Sequence, residues 1–83
     1  LELDNGRRLL VSQWNNMSKA NKILVLEPNL KQGKVKKHCM LDNFGDAYSA
    51  RFNKDSGKVE VLVNFPRTLG GNDYRQVWKT CSI

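Results

Sequence analysis

From Lys34 to Cys81 the side chains alternate in character at every second position, and clusters of turn-forming residues interrupt the alternation. A period of 2 belongs to a strand with one face buried, so more than half of the chain is committed to sheet before any other feature is weighed. From Lys34 to Leu41 the alternation puts Val35, Cys39 and Leu41 on one face and Lys36, His38 and Met40 on the other. Asp42-Asn43 and Gly45-Asp46 supply turn chemistry. Ala47 to Asn53 and Lys58 to Phe65 read as a hairpin across Lys54-Asp55-Ser56-Gly57. Pairing across that loop sets Phe52 opposite Val59, Ala50 opposite Val61 and Tyr48 opposite Val63, with Arg51 facing Glu60 on the other side. Pro66 ends the strand, Gly70 to Asp73 make a loop, and Tyr74 to Cys81 form a last strand.

Upstream the pattern differs. Ile23 to Leu26 is a short apolar run ended by Pro28-Asn29, as expected of a strand buried on both faces, and Asn29 to Gly33 turns the chain. Before it lies the one helical pattern of the sequence: Leu10, Trp14 and Met17 stand at i, i+4 and i+7. Asp4 or Asn5 can act as its N-cap, while Asn15, Asn16 and Ser18 weaken it towards Asn21. Trp14 would anchor that helix in the core. The predicted architecture is therefore α+β, one N-terminal helix packed on a four- to five-stranded antiparallel sheet. The open face of the sheet would carry Lys36, His38, Ser49, Arg51 and Glu60, where a polar site belongs.

A chain of 83 residues holds one hydrophobic core, so residues 1–83 are expected to form a single domain. With 40% hydrophobic and 27% charged residues it has the composition of a globular protein and not of a disordered tail. Glu2, Asp4, Arg7 and Arg8 leave no apolar core of a signal peptide in the first ten positions, and no run is long enough to span a bilayer. A soluble chain with no membrane insertion is expected, and the missing initial Met suggests a processed product. Cys39 and Cys81 are as compatible with one bridge as with two buried thiols. A bridge would close a loop of roughly forty residues, worth about 3–4 kcal/mol in loop entropy.

The net charge of +6 favours an anionic partner: nucleic acid, an acidic protein face or a charged membrane. Nearly all of it comes from residues 19–37, where six lysines stand against Glu27 alone for a net of +5. That stretch reads as a patch that neutralises phosphates without reading sequence, or as a solvated turn whose lysines keep an edge strand from aggregating. Lysine in place of arginine points to nonspecific attraction, because the arginine fork is what reads phosphates and guanines bidentately.

Constellations for chemistry are sparse. One His and two distant Cys provide no short pair with zinc-ligand spacing, so no metal and no cofactor is expected. Gly70-Gly71 lies in no phosphate-binding fingerprint. His38 is the one side chain that titrates near neutrality, and with Glu60 it could serve as an acid–base pair for phosphodiester cleavage. Trp78, Tyr74 and Tyr48 are open to two roles, stacking on bases or filling the core.

Laid out as strands, Ala50-Arg51-Phe52-Asn53, a polar turn, Val59 to Asn64, a Gly-Gly-Asn loop and Trp78 three residues before Cys81 resemble the end of the secreted fungal ribonucleases and ribotoxins. Arg7 to Gln13 is similar to the helix-proximal segment of the ribotoxins. The resemblance implies one helix on an antiparallel sheet, the microbial ribonuclease-like arrangement. It does not carry the chemistry. Ser49 stands where those enzymes hold a catalytic Arg, Asn64 or Phe65 where they hold the general-acid His, and Lys36, Lys37 and His38 where they hold the Glu. A ribonuclease scaffold without a proton donor is similar to the RNase-like effectors of cereal powdery mildews, the RALPH class. That resemblance implies a secreted virulence protein, translocated into the host cell, that binds RNA or a host protein and is open to detection by a plant immune receptor. Members carry an aromatic-x-Cys motif near the mature N-terminus, and this sequence has no Cys before Cys39.

The sequence thus points to a monomeric, non-enzymatic effector whose basic face of Lys34, Lys36, Lys37, His38, Tyr48 and Arg51 engages RNA or an acidic host surface. Two alternatives remain beside it: a weak ribonuclease using His38 and Glu60, and a six-stranded β-sandwich effector with one disulfide, of the kind known from the blast fungus.

Overall fold

Val59, Val61 and Val63 alternate along one strand, are β-branched, and are fully buried, so that strand forms the middle of a sheet whose inner face is the core. The structure, a computed structural model, describes residues 1–3, 6–15, 20–67 and 73–83. Its strands are β1 (Leu10–Trp14), β2 (Ala20–Asn29), β3 (Lys34–Phe44), β4 (Ser49–Asn53), β5 (Lys58–Pro66) and β6 (Tyr74–Cys81). They form two three-stranded antiparallel sheets, β1-β2-β3 and β4-β5-β6, each in chain order. Ile23 and Val25 of β2 meet the three valines of β5 across the interior, and Leu3 and Leu9 of the N-terminal segment complete the cluster. Cys39 on β3 is bridged to Cys81 on β6 with Cα atoms 6.1 Å apart, which ties the two sheets together. Of the two cysteine states open in the sequence, the bridge is the one found.

The α+β expectation is overturned, since the described residues contain no α-helix. Leu10 to Trp14, expected in the helix, is strand β1 and pairs with β2 from Leu10↔Leu26 to Trp14↔Lys22. The same residues that fit a helical stripe also alternate, with Leu10, Ser12 and Trp14 on one side and Val11 and Gln13 on the other. The unpaired N–H and C=O groups along β2 decide between the two, because a neighbouring strand satisfies both partners at once. Trp14 is 58% exposed and anchors no core. The proposed cap residues Asp4 and Asn5, and Met17 with Asn16 and Ser18, lie outside the described residues. With the helix goes the ribonuclease-like arrangement that the resemblance implied.

β2 is longer than the apolar run suggested, and only one of its faces is sealed: Ile23 and Val25 are buried, Leu24 and Leu26 half-buried. β3 also runs on, through Asp42-Asn43 where a turn was expected. Asn43 is buried there. Its Nδ2 donates to Gln13 Oε1 at 2.8 Å, and its Oδ1 accepts from the backbone N–H of Asn64 at 2.7 Å, so one amide joins β1, β3 and β5.

The second hairpin has the expected pairing of Phe52↔Val59, Ala50↔Val61 and Arg51↔Glu60. Arg51 Nε donates to Glu60 Oε1 at 2.7 Å. Tyr48 precedes β4 and has no place in the ladder opposite Val63; its hydroxyl donates to Val11 O at 3.4 Å, across to the first sheet. Tyr74–Cys81 is a strand as expected. Gly70 to Asn72 of the expected loop lie outside the described residues. No helix among the described residues is long and apolar enough to cross a membrane.

Candidate nucleic-acid interface

β1 covers β2 only as far as Leu26. Beyond that row β2 and β3 continue as a bare two-stranded ribbon, Glu27↔Lys36, Pro28↔Val35 and Asn29↔Lys34, closed by Leu30-Lys31-Gln32-Gly33. Gly33 takes a φ of 63°, the left-handed conformation this turn needs and that glycine adopts without strain. Asn29 Oδ1 accepts from the Gln32 backbone N–H at 3.2 Å and holds the other side of the turn. Every residue from Pro28 to Lys37 is exposed, so the ribbon projects as an arm. Lys31, Lys34, Lys36 and Lys37 lie on it, and among the described residues no carboxylate stands within ion-pair distance of them.

A β-bulge decides which way these lysines face. Val25 pairs with Cys39 and Leu26 with Lys37, which leaves His38 with no residue opposite it. The extra residue reverses the alternation beyond it and turns the imidazole inward, where its side chain is only 4% exposed. On the arm Lys34 and Lys36 then occupy one face and Lys37 the other.

At the root of the arm Glu27 receives three hydrogen bonds, two from the Arg7 guanidinium and one from the His38 imidazole. Arg7 Nη2 donates to Oε1 at 2.6 Å and Arg7 Nε to Oε2 at 2.9 Å, while His38 Nε2 reaches Oε1 at 2.7 Å. Hydrogen bonding from Arg7, then from His38, lowers the Glu27 pKa to about 2, and the carboxylate in turn raises that of the Arg7 guanidinium. Arg7, Lys31 and Lys36 line a cleft of about 740 Å³ between the N-terminal segment and the arm, with Glu27 also in its wall.

Three of the predicted site residues, Lys34, Lys36 and Lys37, thus come together on the arm. The rest do not join them. His38 is buried beneath it, and Tyr48 and Arg51 belong to the other half of the molecule. The expected single open face is in fact two: Lys36 and His38 come from the first sheet, Ser49, Arg51 and Glu60 from the second. There the Arg51 guanidinium lies 3.7 Å from the centre of the Trp78 ring. Trp78 and Tyr74 are exposed and not core. His38 and Glu60, proposed as an acid–base pair, each hold a different partner: Glu27 in one case, Arg51 in the other.

No family model, curated protein or solved structure matches this chain.

Sequence reasoning counted Lys31 and Glu27 only in the charge of residues 19–37 and assigned no site role to them, to Arg7 or to Leu30. An apolar Leu30 inside an otherwise polar turn was a signal for the tip. The pairing of Arg7 with Glu27 had none, since it joins segments 20 residues apart.

Proposed function

We propose that this protein is a non-enzymatic binding module that engages RNA through the basic β2–β3 arm. The observation that carries the reading is the arm itself, a solvated ribbon whose four lysines enter no ion pair among the described residues. Each lysine set against a phosphate displaces a condensed counterion, so such an arm binds polyanions without a dry interface or a built pocket. The separate engagements of His38 and Glu60 support a binding role over cleavage. The Cys39–Cys81 bridge in so small a chain supports an oxidising compartment, and with it secretion. Six strands and one bridge favour the small secreted β-sandwich effector as the setting for that activity, in place of the ribonuclease-like one.

Fluorescence anisotropy with labelled RNA at 50–200 mM salt tests the reading. If the four lysines each meet a phosphate, the logarithm of the binding constant falls against the logarithm of salt with a slope of about −3 to −4. A variant with Lys31, Lys34, Lys36 and Lys37 all changed to Ala loses most of that slope. Equal binding by the variant, or none by the native protein at low salt, rejects the arm as an RNA-binding element.

A further inference from the structure

Resting on the RNA-binding reading, we propose that Leu30 at the tip of the arm is a wedge that enters a nucleic-acid duplex where its stacking is already broken, at a bulge or a mismatch. Leu30 is 93% exposed, the most exposed of the large apolar side chains described. It stands at the apex of a turn whose two sides are held by the Asn29 side chain and by Gly33, so it is presented and not merely left out. An apolar side chain at the end of a cationic element is the arrangement by which nucleic-acid-binding proteins part adjacent bases.

The placement of the lysines favours a groove over a flat surface. Lys34 and Lys36 face one way and Lys37 the other, so that cations point from both sides of the ribbon, as two flanking phosphate backbones require. They are also spread in depth. Lys31 is beside the tip, and Lys37 stands three rows behind Lys34, about 10 Å further back at strand spacing. A bilayer or an acidic protein face touched by Leu30 would lie beyond the roughly 8 Å screening length from the rear of that row. A groove deep enough to take the tip keeps phosphates alongside it. Opening a base step is least costly where a base is already unpaired, which selects the interrupted duplex as the target.

The test compares a fully paired RNA duplex with the same duplex carrying a one-nucleotide bulge next to a fluorescent adenine analogue. The native protein is expected to bind the bulged duplex about tenfold tighter, the effect of removing one leucine side chain from water, and to raise the analogue's fluorescence as the step opens. Leu30→Ser, a change on the surface that circular dichroism and melting will show to be folded, brings the bulged duplex to parity while affinity for the paired one and its salt slope stay unchanged. Equal affinity of the native protein for both duplexes, or a preference that survives Leu30→Ser, overturns the wedge and leaves the RNA-binding reading standing. No binding of either duplex at low salt removes both. Phosphatidylserine vesicles are the control: tighter binding to vesicles than to RNA, lost in Leu30→Ser, overturns the wedge in favour of a bilayer.

Discussion

Glu27 sits where the arm leaves the body, and it holds two things there at once. Arg7 ties the N-terminal segment to it and His38 ties the bulge, so a single carboxylate links both to the base of the hairpin. The hydrogen bonds from both partners favour the ionised form. The folded carboxyl stays charged down to about pH 2, against the ordinary glutamate value of 4.5. As pH falls, the unfolded chain takes up this proton first, so the contribution is whole above about pH 4.5 and is lost towards pH 2. Urea midpoints measured from pH 7 to pH 2 for the native protein and Glu27→Gln check this. The variant is expected to be the less stable at neutral pH, with the gap closing across that acid window; a gap constant with pH excludes the carboxylate as its source. Asn43 shows the same economy of means deeper in the molecule. Its side chain takes up the Asn64 N–H that sheet pairing leaves over and also donates to Gly45 O and Ala47 O at 3.3 Å, so it both joins the sheets and holds the bend that follows β3.

At the level of elements, the first hairpin is bent to its purpose by one residue. Without the bulge at His38 the alternation of β3 would run unbroken and the imidazole would face outward beside Met40. With it, Cys39 still faces the core and reaches Cys81 while the lysines beyond are re-aimed. The second hairpin is regular, and its loop depends on Gly57, which has a φ of 70° and donates its N–H to Asn53 O at 2.9 Å. Nothing lies within 4 Å of where a Cβ would stand, so Gly57→Ala meets the backbone penalty alone. The expected loss is about 1 kcal/mol by denaturant unfolding, with Gly57→Asn losing less; no loss on Gly57→Ala would show that the loop has another conformation available. The edge strand β6 is guarded in its own way. Lys79 and Arg75 pair with Val61 and Phe65, on the core-facing side, and the Lys79 ammonium lies 5.1 Å from the centre of the Phe65 ring. Inward-facing charges on an edge discourage a further strand from adding to it.

In the whole molecule the two sheets share a small core, and the bridge joins residues 42 positions apart, one from each sheet. Changing both cysteines to Ser is expected to cost about 3–4 kcal/mol, a shift of more than about 10 °C in Tm for a domain of this size. Calorimetry with and without a thiol reductant measures it; a Tm that reduction leaves in place shows that the sheets hold each other unaided. The Phe52↔Val59 register, the Arg51–Glu60 pair and the last strand were all legible in the sequence, because a hairpin's pairing follows from its loop length and its alternation, both local. So was the concentration of lysines between residues 19 and 37, since charge is a matter of composition. The state of Leu10 to Trp14 was not legible, because those residues fit either period and their choice rests on β2, whose bare edge exists only once the chain has folded. Nor was the fate of His38, which one unpaired position moved from surface to interior. By itself the sequence determined that this chain builds antiparallel hairpins and that one of them is basic. Only the tertiary structure decided that the hairpins form two sheets and not one under a helix, and that the basic one outruns its neighbour to stand free, because strand partners and cover come from segments distant in the chain.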